Sequence, residues 1–131
     1  MSNNSVLIVE DDKDIRNTLS LALELEGYEV LEAENGRKAL DTLLSLPEGS
    51  LPGCIILDLM MPVMDGMSLL DEIYKNFNLR LGSIPVILAS AYGEVLDLRL
   101  TPVIAANISK PFTLDQLYKI VGQFCTSQKF A

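Results

Sequence analysis

Histidine and tryptophan are absent from this chain of 131 residues. Without an imidazole there is no Ser-His-Asp or Cys-His catalysis, no histidine metal ligand and no histidine proton shuttle. Basic side chains are scarce as well: Lys+Arg number 10 against 18 Asp+Glu, a formal net charge of -8. That is the wrong sign for a surface that neutralises nucleic-acid phosphates or lies on an anionic membrane. The two cysteines, Cys54 and Cys125, have no CxxC spacing. They read as reduced, buried thiols of a reducing cytoplasm. No apolar run approaches the roughly 20 residues of a membrane span, and residues 1–5 lack the basic start of a signal peptide. The expectation is a cytoplasmic protein with neither a nucleic-acid nor a membrane partner, whose chemistry runs on carboxylates, hydroxyls and amines.

What is present is an alternating pattern. Short aliphatic runs at Val6–Val9, Ile55–Leu57, Val86–Ala89 and Val103–Ile108 read as strands buried on both faces, and Tyr28–Ala33 alternates like an edge strand. Between them the apolar period becomes helical. Ile15, Leu19, Ala22 and Leu23 share one face; Ala39, Leu40, Leu43 and Leu44 share another. Leu70, Ile73, Tyr74 and Phe77 form a third, and Leu114, Leu117, Tyr118, Val121 and Phe124 a last one. Gly27 ends the first helix, Asn35-Gly36 opens the second, and Thr113 with Gln116 forms a capping box at the last. Residues 46–53, with two prolines and two glycines, read as surface loop. Glu94–Pro102 keeps no clean period and reads as a short or distorted fourth helix.

Five strands alternating with helices on short connections specify an α/β, flavodoxin-like, doubly wound (βα)5 fold. Its parallel sheet has the expected strand order 2-1-3-4-5. The chain is read as one domain, 1–131, with a core of about 5–125.

Ligands of such sheets sit beyond the carboxyl ends of the strands, where the order reverses, here between the first and third strands. The first strand runs into Glu10, Asp11 and Asp12, and the third into Asp58. Two ionised carboxylates ~4 Å apart at an effective dielectric of ~20 repel by about 4 kcal/mol, so cations must compensate. Lys110, after the fifth strand, is one candidate, and a divalent cation is the other. All-oxygen ligands without His or paired Cys favour Mg2+, which commonly shares its sites with phosphate. Ser90 adds a hydroxyl at the same rim. Taken singly, each has an ordinary structural explanation. Asp58 could be a turn former or helix cap, Ser90 loop filler and Lys110 a solvated loop residue, while Asp12 reads best as a helix N-cap. Their convergence on one sheet edge carries the argument.

With Leu7-Ile8-Val9-Glu10-Asp11-Asp12, Asp58-Leu59-Met60-Met61-Pro62, Pro85-Val86-Ile87-Leu88-Ala89-Ser90-Ala91 and Lys110-Pro111-Phe112 in this order, the whole chain resembles the receiver domains of two-component response regulators. The resemblance implies that Asp58 accepts a phosphoryl group from a sensor histidine kinase or phosphotransfer protein. It further implies that Asp11, Asp58 and the Met60 carbonyl ligate Mg2+, with Glu10 acting through water. Ser90, Ala91 and Lys110 would meet the phosphoryl group or carry the switch, and Lys110–Pro111 would be cis. A downstream protein target or output domain would read the result; oligomeric state stays open. Asn107 stands where receivers carry the switch aromatic, which implies transmission without aromatic rotation. A docking receiver whose output needs no such switch is the alternative. A Mg2+ phosphohydrolase is disfavoured because Met60 replaces its second acid, and a flavin protein because no phosphate-cradling loop follows the first strand.

Overall fold

The computed structural model describes residues 4–58, 66–75, 84–91 and 104–125. Among them lie the strands β1 (Ser5–Val9), β2 (Glu29–Ala33), β3 (Cys54–Asp58), β4 (Val86–Ala91) and β5 (Ile104–Lys110). The helices are α1 (Lys13–Leu25), α2 (Gly36–Ser45), α3 (Gly66–Lys75) and α4 (Leu114–Val121), with a 3-10 turn at Glu48–Ser50 in the loop before β3. All strand pairs are parallel and the order is β2-β1-β3-β4-β5, as the alternation predicts. The fourth helix expected at Glu94–Pro102 falls outside the described residues.

Side chains of a strand alternate in direction, so a sheet covered on both sides carries two cores. Leu7, Val9, Ile55, Leu57, Val86 and Leu88 pack on one side with Ala39, Leu40 and Leu43 of α2 and Leu69 of α3. Val6, Ile8, Cys54, Ile56, Ile87, Ala89 and Ile108 pack on the other with Leu19 and Leu23 of α1 and Leu117 and Val121 of α4. Every residue of β1 and β3 is buried. The fifth strand departs from the expectation of two buried faces: Ala105, Asn107 and Ser109 are exposed while Ile108 is buried. It is an edge strand of the sheet, and its inward contacts come from Ala106 and Ile108, which pack with the cluster of α1 and α4.

The helix faces also need correction at their ends. Ile15 is 44% exposed, Leu44 56% and Leu114 44%, because each lies at the rim of its helix's apolar stripe. The local signals act as expected elsewhere. Gly27 takes φ 94°, the left-handed conformation a side chain resists. Its N–H donates to the Glu24 carbonyl and that of Tyr28 to Leu23, the paired bonds that close a helix C-terminus. Asn35 caps α2 by accepting from the Lys38 N–H. Thr113 and Gln116 form the reciprocal capping box of α4. These caps fix where α1 ends and where α2 and α4 begin, the last two in the loops that leave the carboxyl ends of β2 and β5.

Candidate functional site

β1 and β3 are adjacent, with Val9 opposite Leu57, so the residues leaving their carboxyl ends share one crevice. Asp58 closes β3, and Glu10 follows β1 directly. Glu10, Asp11 and Asp58 each bring a carboxylate oxygen to within 4.8 Å of the others. Glu10 is 4% exposed and Asp58 6%, whereas Asp11 is open to solvent. Lys110, the last residue of β5 rather than a loop residue, extends into the crevice. Its Nζ lies 3.2 Å from Asp58 Oδ1 and 3.7 Å from Glu10 Oε1. The Lys110–Pro111 peptide bond is cis.

The electrostatics of this cluster are dominated by burial. Glu10 is pushed from its ordinary 4.5 up to about 7, first by loss of solvent, then by the Asp58 charge and a hydrogen bond with Asp11. The Asp12 N–H, donating to Glu10 Oε2 at 3.2 Å, and the Lys110 ammonium oppose the rise without cancelling it. One ammonium therefore leaves the acidic cluster undercompensated. Three hard oxygen donors around a gap, partly dry and short of positive charge, fit a divalent cation of the Mg2+ class.

Two neighbours hold the frame. Asp12 is the N-cap of α1, accepting from the N–H groups of Asp14 and Ile15 at 2.9 and 3.0 Å. Its carboxylate is thus committed to the helix, as the sequence suggests. Arg16, to which the sequence reading assigned no role, donates from Nη1 to the Glu10 carbonyl at 2.8 Å, while its Nε lies 3.3 Å from Glu32 Oε1. It ties β2 to the chain that delivers the acids. The signal available in the sequence was an arginine one turn into a helix that follows an acidic strand end.

Beside the carboxylates opens a cavity of about 580 Å3 between α1 and α4. Ile8, Ile15, Leu19, Ile56, Phe112 and Leu114 give it apolar walls, and Glu10, Asp58 and Lys110 form its polar end. The half-exposure of Ile15 and Leu114 is the rim of this opening. Nothing in the apolar periodicity distinguished it from core.

The remaining expected site residues divide. Ser90 and Ala91 form the end of β4, opposite Ser109 and Lys110 of β5, and their backbone alone is described. Met60 lies outside the described residues. Asn107 sits on β5 opposite Leu88, exposed, and lines a second cleft with Gln116, Lys119 and Gln123. It is not part of the carboxylate cluster.

Comparison with known proteins agrees with this geometry. Residues 6–122 match the response regulator receiver domain family. The chain is 32% identical over 126 residues to sporulation initiation phosphotransferase F of Bacillus subtilis, covering 95% of each. It is 38% identical over 124 residues to the regulatory protein AtoC of Escherichia coli, covering 90% of this chain and 24% of that one. The probable transcriptional regulator ycf27 of Porphyra purpurea is likewise matched over only 43% of its length. Among solved structures, a CheY-like receiver domain protein from Methanospirillum hungatei superposes with a TM-score of 0.79 at 27% identity, covering 92% of this chain and 93% of that one. The response regulator protein TrrA of Thermotoga maritima, in complex with Mg2+ and BeF, gives 0.77 at 30% identity, covering 92% and 98%.

Proposed function

The chain belongs to the response regulator receiver domain family, and from that premise we propose that it is a phosphorylation-dependent signalling domain with Asp58 as the phosphoacceptor. The observation that carries this reading is the buried Asp58 carboxylate, 3.2 Å from the Lys110 ammonium and grouped with Glu10 and Asp11. A carboxylate oxygen of Asp58 attacks phosphorus in line, the bond from phosphorus to the donor breaks, and an aspartyl phosphate results. No general base is required, in keeping with a chain without histidine.

Each residue then has a task. Asp11 and Asp58 would hold Mg2+ directly, with Glu10 acting through water and the Met60 carbonyl completing the protein ligands. When bound, the ion would offset the negative charge of the incoming phosphoryl group. Lys110 would pair with a phosphoryl oxygen, and Ser90 and Ala91 would meet the phosphoryl group or carry the switch. Arg16 keeps the Glu10 segment in register through the Glu10 carbonyl.

The donor is the phosphohistidine of a sensor histidine kinase or a phosphotransfer protein. A receiver segment of a signal transduction histidine kinase from Syntrophus aciditrophicus, 31% identical with a TM-score of 0.78, supports that class of partner. Residues 1–131 would form one receiver domain with its core at about 5–125, acting in the cytoplasm. Among the described residues no helix is long and apolar enough to cross a membrane. The chain spans 24% of the length of AtoC and 43% of a ycf27 relative, and a downstream protein target or output domain would read the phosphorylated state.

Exposed Asn107, facing the polar cleft with Gln116 and Lys119, favours a second reading of the output. The acceptor chemistry operates, but transmission to a partner does not use an aromatic ring turning inward. Incubation with Mg2+ and acetyl phosphate, followed by intact mass, tests the acceptor. A gain of one phosphoryl mass in the wild type and none in Asp58→Ala is expected. An unmodified wild type refutes it.

A further inference from the structure

The two cysteines, 71 residues apart in sequence, meet in the fold. Their sulfurs are 3.2 Å apart, and Cys125 Sγ also lies 3.6 Å from the Ser5 carbonyl oxygen. Cys54 opens β3 and is fully buried; Cys125 follows the turn after α4 and is 5% exposed. Both are free thiols, embedded in the apolar cluster of Val6, Tyr28 and Val121. Two thiols could fill such a place as small apolar side chains. Core packing does not require their sulfurs to face one another.

We propose that Cys54 and Cys125 form a covalent modification site, a thiol pair that hydrogen peroxide closes to an intrachain disulfide joining the start of β3 to the chain just beyond α4. The first step consumes one peroxide: a thiolate sulfur attacks one oxygen, the O–O bond breaks, and a sulfenic acid and water form. In the second step the other sulfur attacks the sulfenic sulfur, the S–O bond breaks and a second water leaves. The two sulfurs together lose two electrons and two protons, and the single peroxide accepts both of each.

The geometry orders these steps. Cys125 is the less buried of the two residues; at rest its thiol donates to Cys54 Sγ, and once it ionises the Cys54 thiol donates in return, which holds Cys125 below the usual thiol range. That same contact, reinforced by burial, pushes Cys54 up. Cys125 is therefore the attacking sulfur and Cys54 the resolving one, already within contact distance. Closing the bond to about 2.05 Å asks the sulfurs to approach by roughly 1 Å. Because reducing thiols reopen such a bond, the modification is reversible. Cys54 sits at the opposite end of β3 from Asp58, so this site is separate from the carboxylate crevice.

The test treats the intact native chain with stoichiometric hydrogen peroxide and follows intact mass, free thiols and peptide maps. The expected product is a monomer lighter by two hydrogens, with both thiols lost together, a 54–125 linked peptide and full reversal by dithiothreitol. Its thermal midpoint is expected to rise by at least about 5 °C, since the bond closes a long loop without large displacement. Cys125→Ser, which retains the buried thiol, is expected to lose the linkage. Should that variant not fold, the wild-type peptide map alone decides. Oxygen-adduct masses without linkage, disulfide-joined dimers, a lowered midpoint, or no reaction while the urea-unfolded chain oxidises would each overturn the proposal.

Discussion

Replacing Glu10 by Gln is expected to stabilise the metal-free protein above neutral pH, even though it removes a residue of the site. Glu10 titrates near 4.5 when solvated and at about 7 in the fold, chiefly because it is buried. A folded value above the unfolded one means that the folded state binds the proton more tightly. The associated stability is fully present below pH 4.5 and is lost as pH rises through 7. The interval corresponds to about 3 kcal/mol. Glutamine carries no titrating proton, so the stability difference between Glu10→Gln and wild type should grow from near zero at pH 4.5 to about 3 kcal/mol at pH 8. In urea titrations with chelator this is a midpoint separation of roughly 1–3 M, opening across that window. Mg2+ at pH 8 should narrow it by stabilising the wild type more than the variant. Parallel pH profiles for the two proteins, within about 0.5 kcal/mol throughout, would refute the assignment of burial as the cause.

Lys110→Ala removes the ammonium 3.2 Å from Asp58 and is expected to slow phosphoryl uptake from acetyl phosphate by roughly 10- to 100-fold. Time-resolved intact mass measures this, and an unchanged rate would remove Lys110 from the chemistry. Gly27→Ala forces a side chain into φ 94° and is expected to cost about 1–2 kcal/mol in urea unfolding, with phosphorylation retained at low temperature. Leu117→Ala empties a fully buried position between α4 and the sheet and is expected to cost about 2–5 kcal/mol by the same assay.

The fold was legible because its signals are local. The apolar runs of β1 and β3, the glycine after α1 and the Thr113–Gln116 box each state a conformation within a few residues, and a parallel sheet leaves few ways to connect them. The carboxylate cluster was legible for the same reason: Glu10, Asp11 and Asp58 follow strands whose adjacency the topology dictates. What escaped the sequence depends on distance in three dimensions. The contact between Cys54 and Cys125 joins the start of β3 to the segment after α4, and no periodicity announces it. The reach of Arg16 to the Glu10 carbonyl depends on its rotamer, and the cavity beside α1 is walled by residues far apart in the chain, Ile15 of α1 and Leu114 of α4 among them. The one-sided burial of β5, an edge strand, is not declared by the composition of that strand.

The division of the sheet into two cores has a consequence for which length changes the chain tolerates. Ile56 and Asp58 point to the side of α1 and α4, Leu57 to the side of α2 and α3. One residue inserted within 54–58 would exchange the side chains that follow it between the two cores and turn the acid away from Lys110. The same insertion in 46–53, ahead of the strand, would leave that parity untouched. The hydrophobic sequence of β3 is thus also a counting device, and the position of one carboxylate is indexed by what its neighbours must bury.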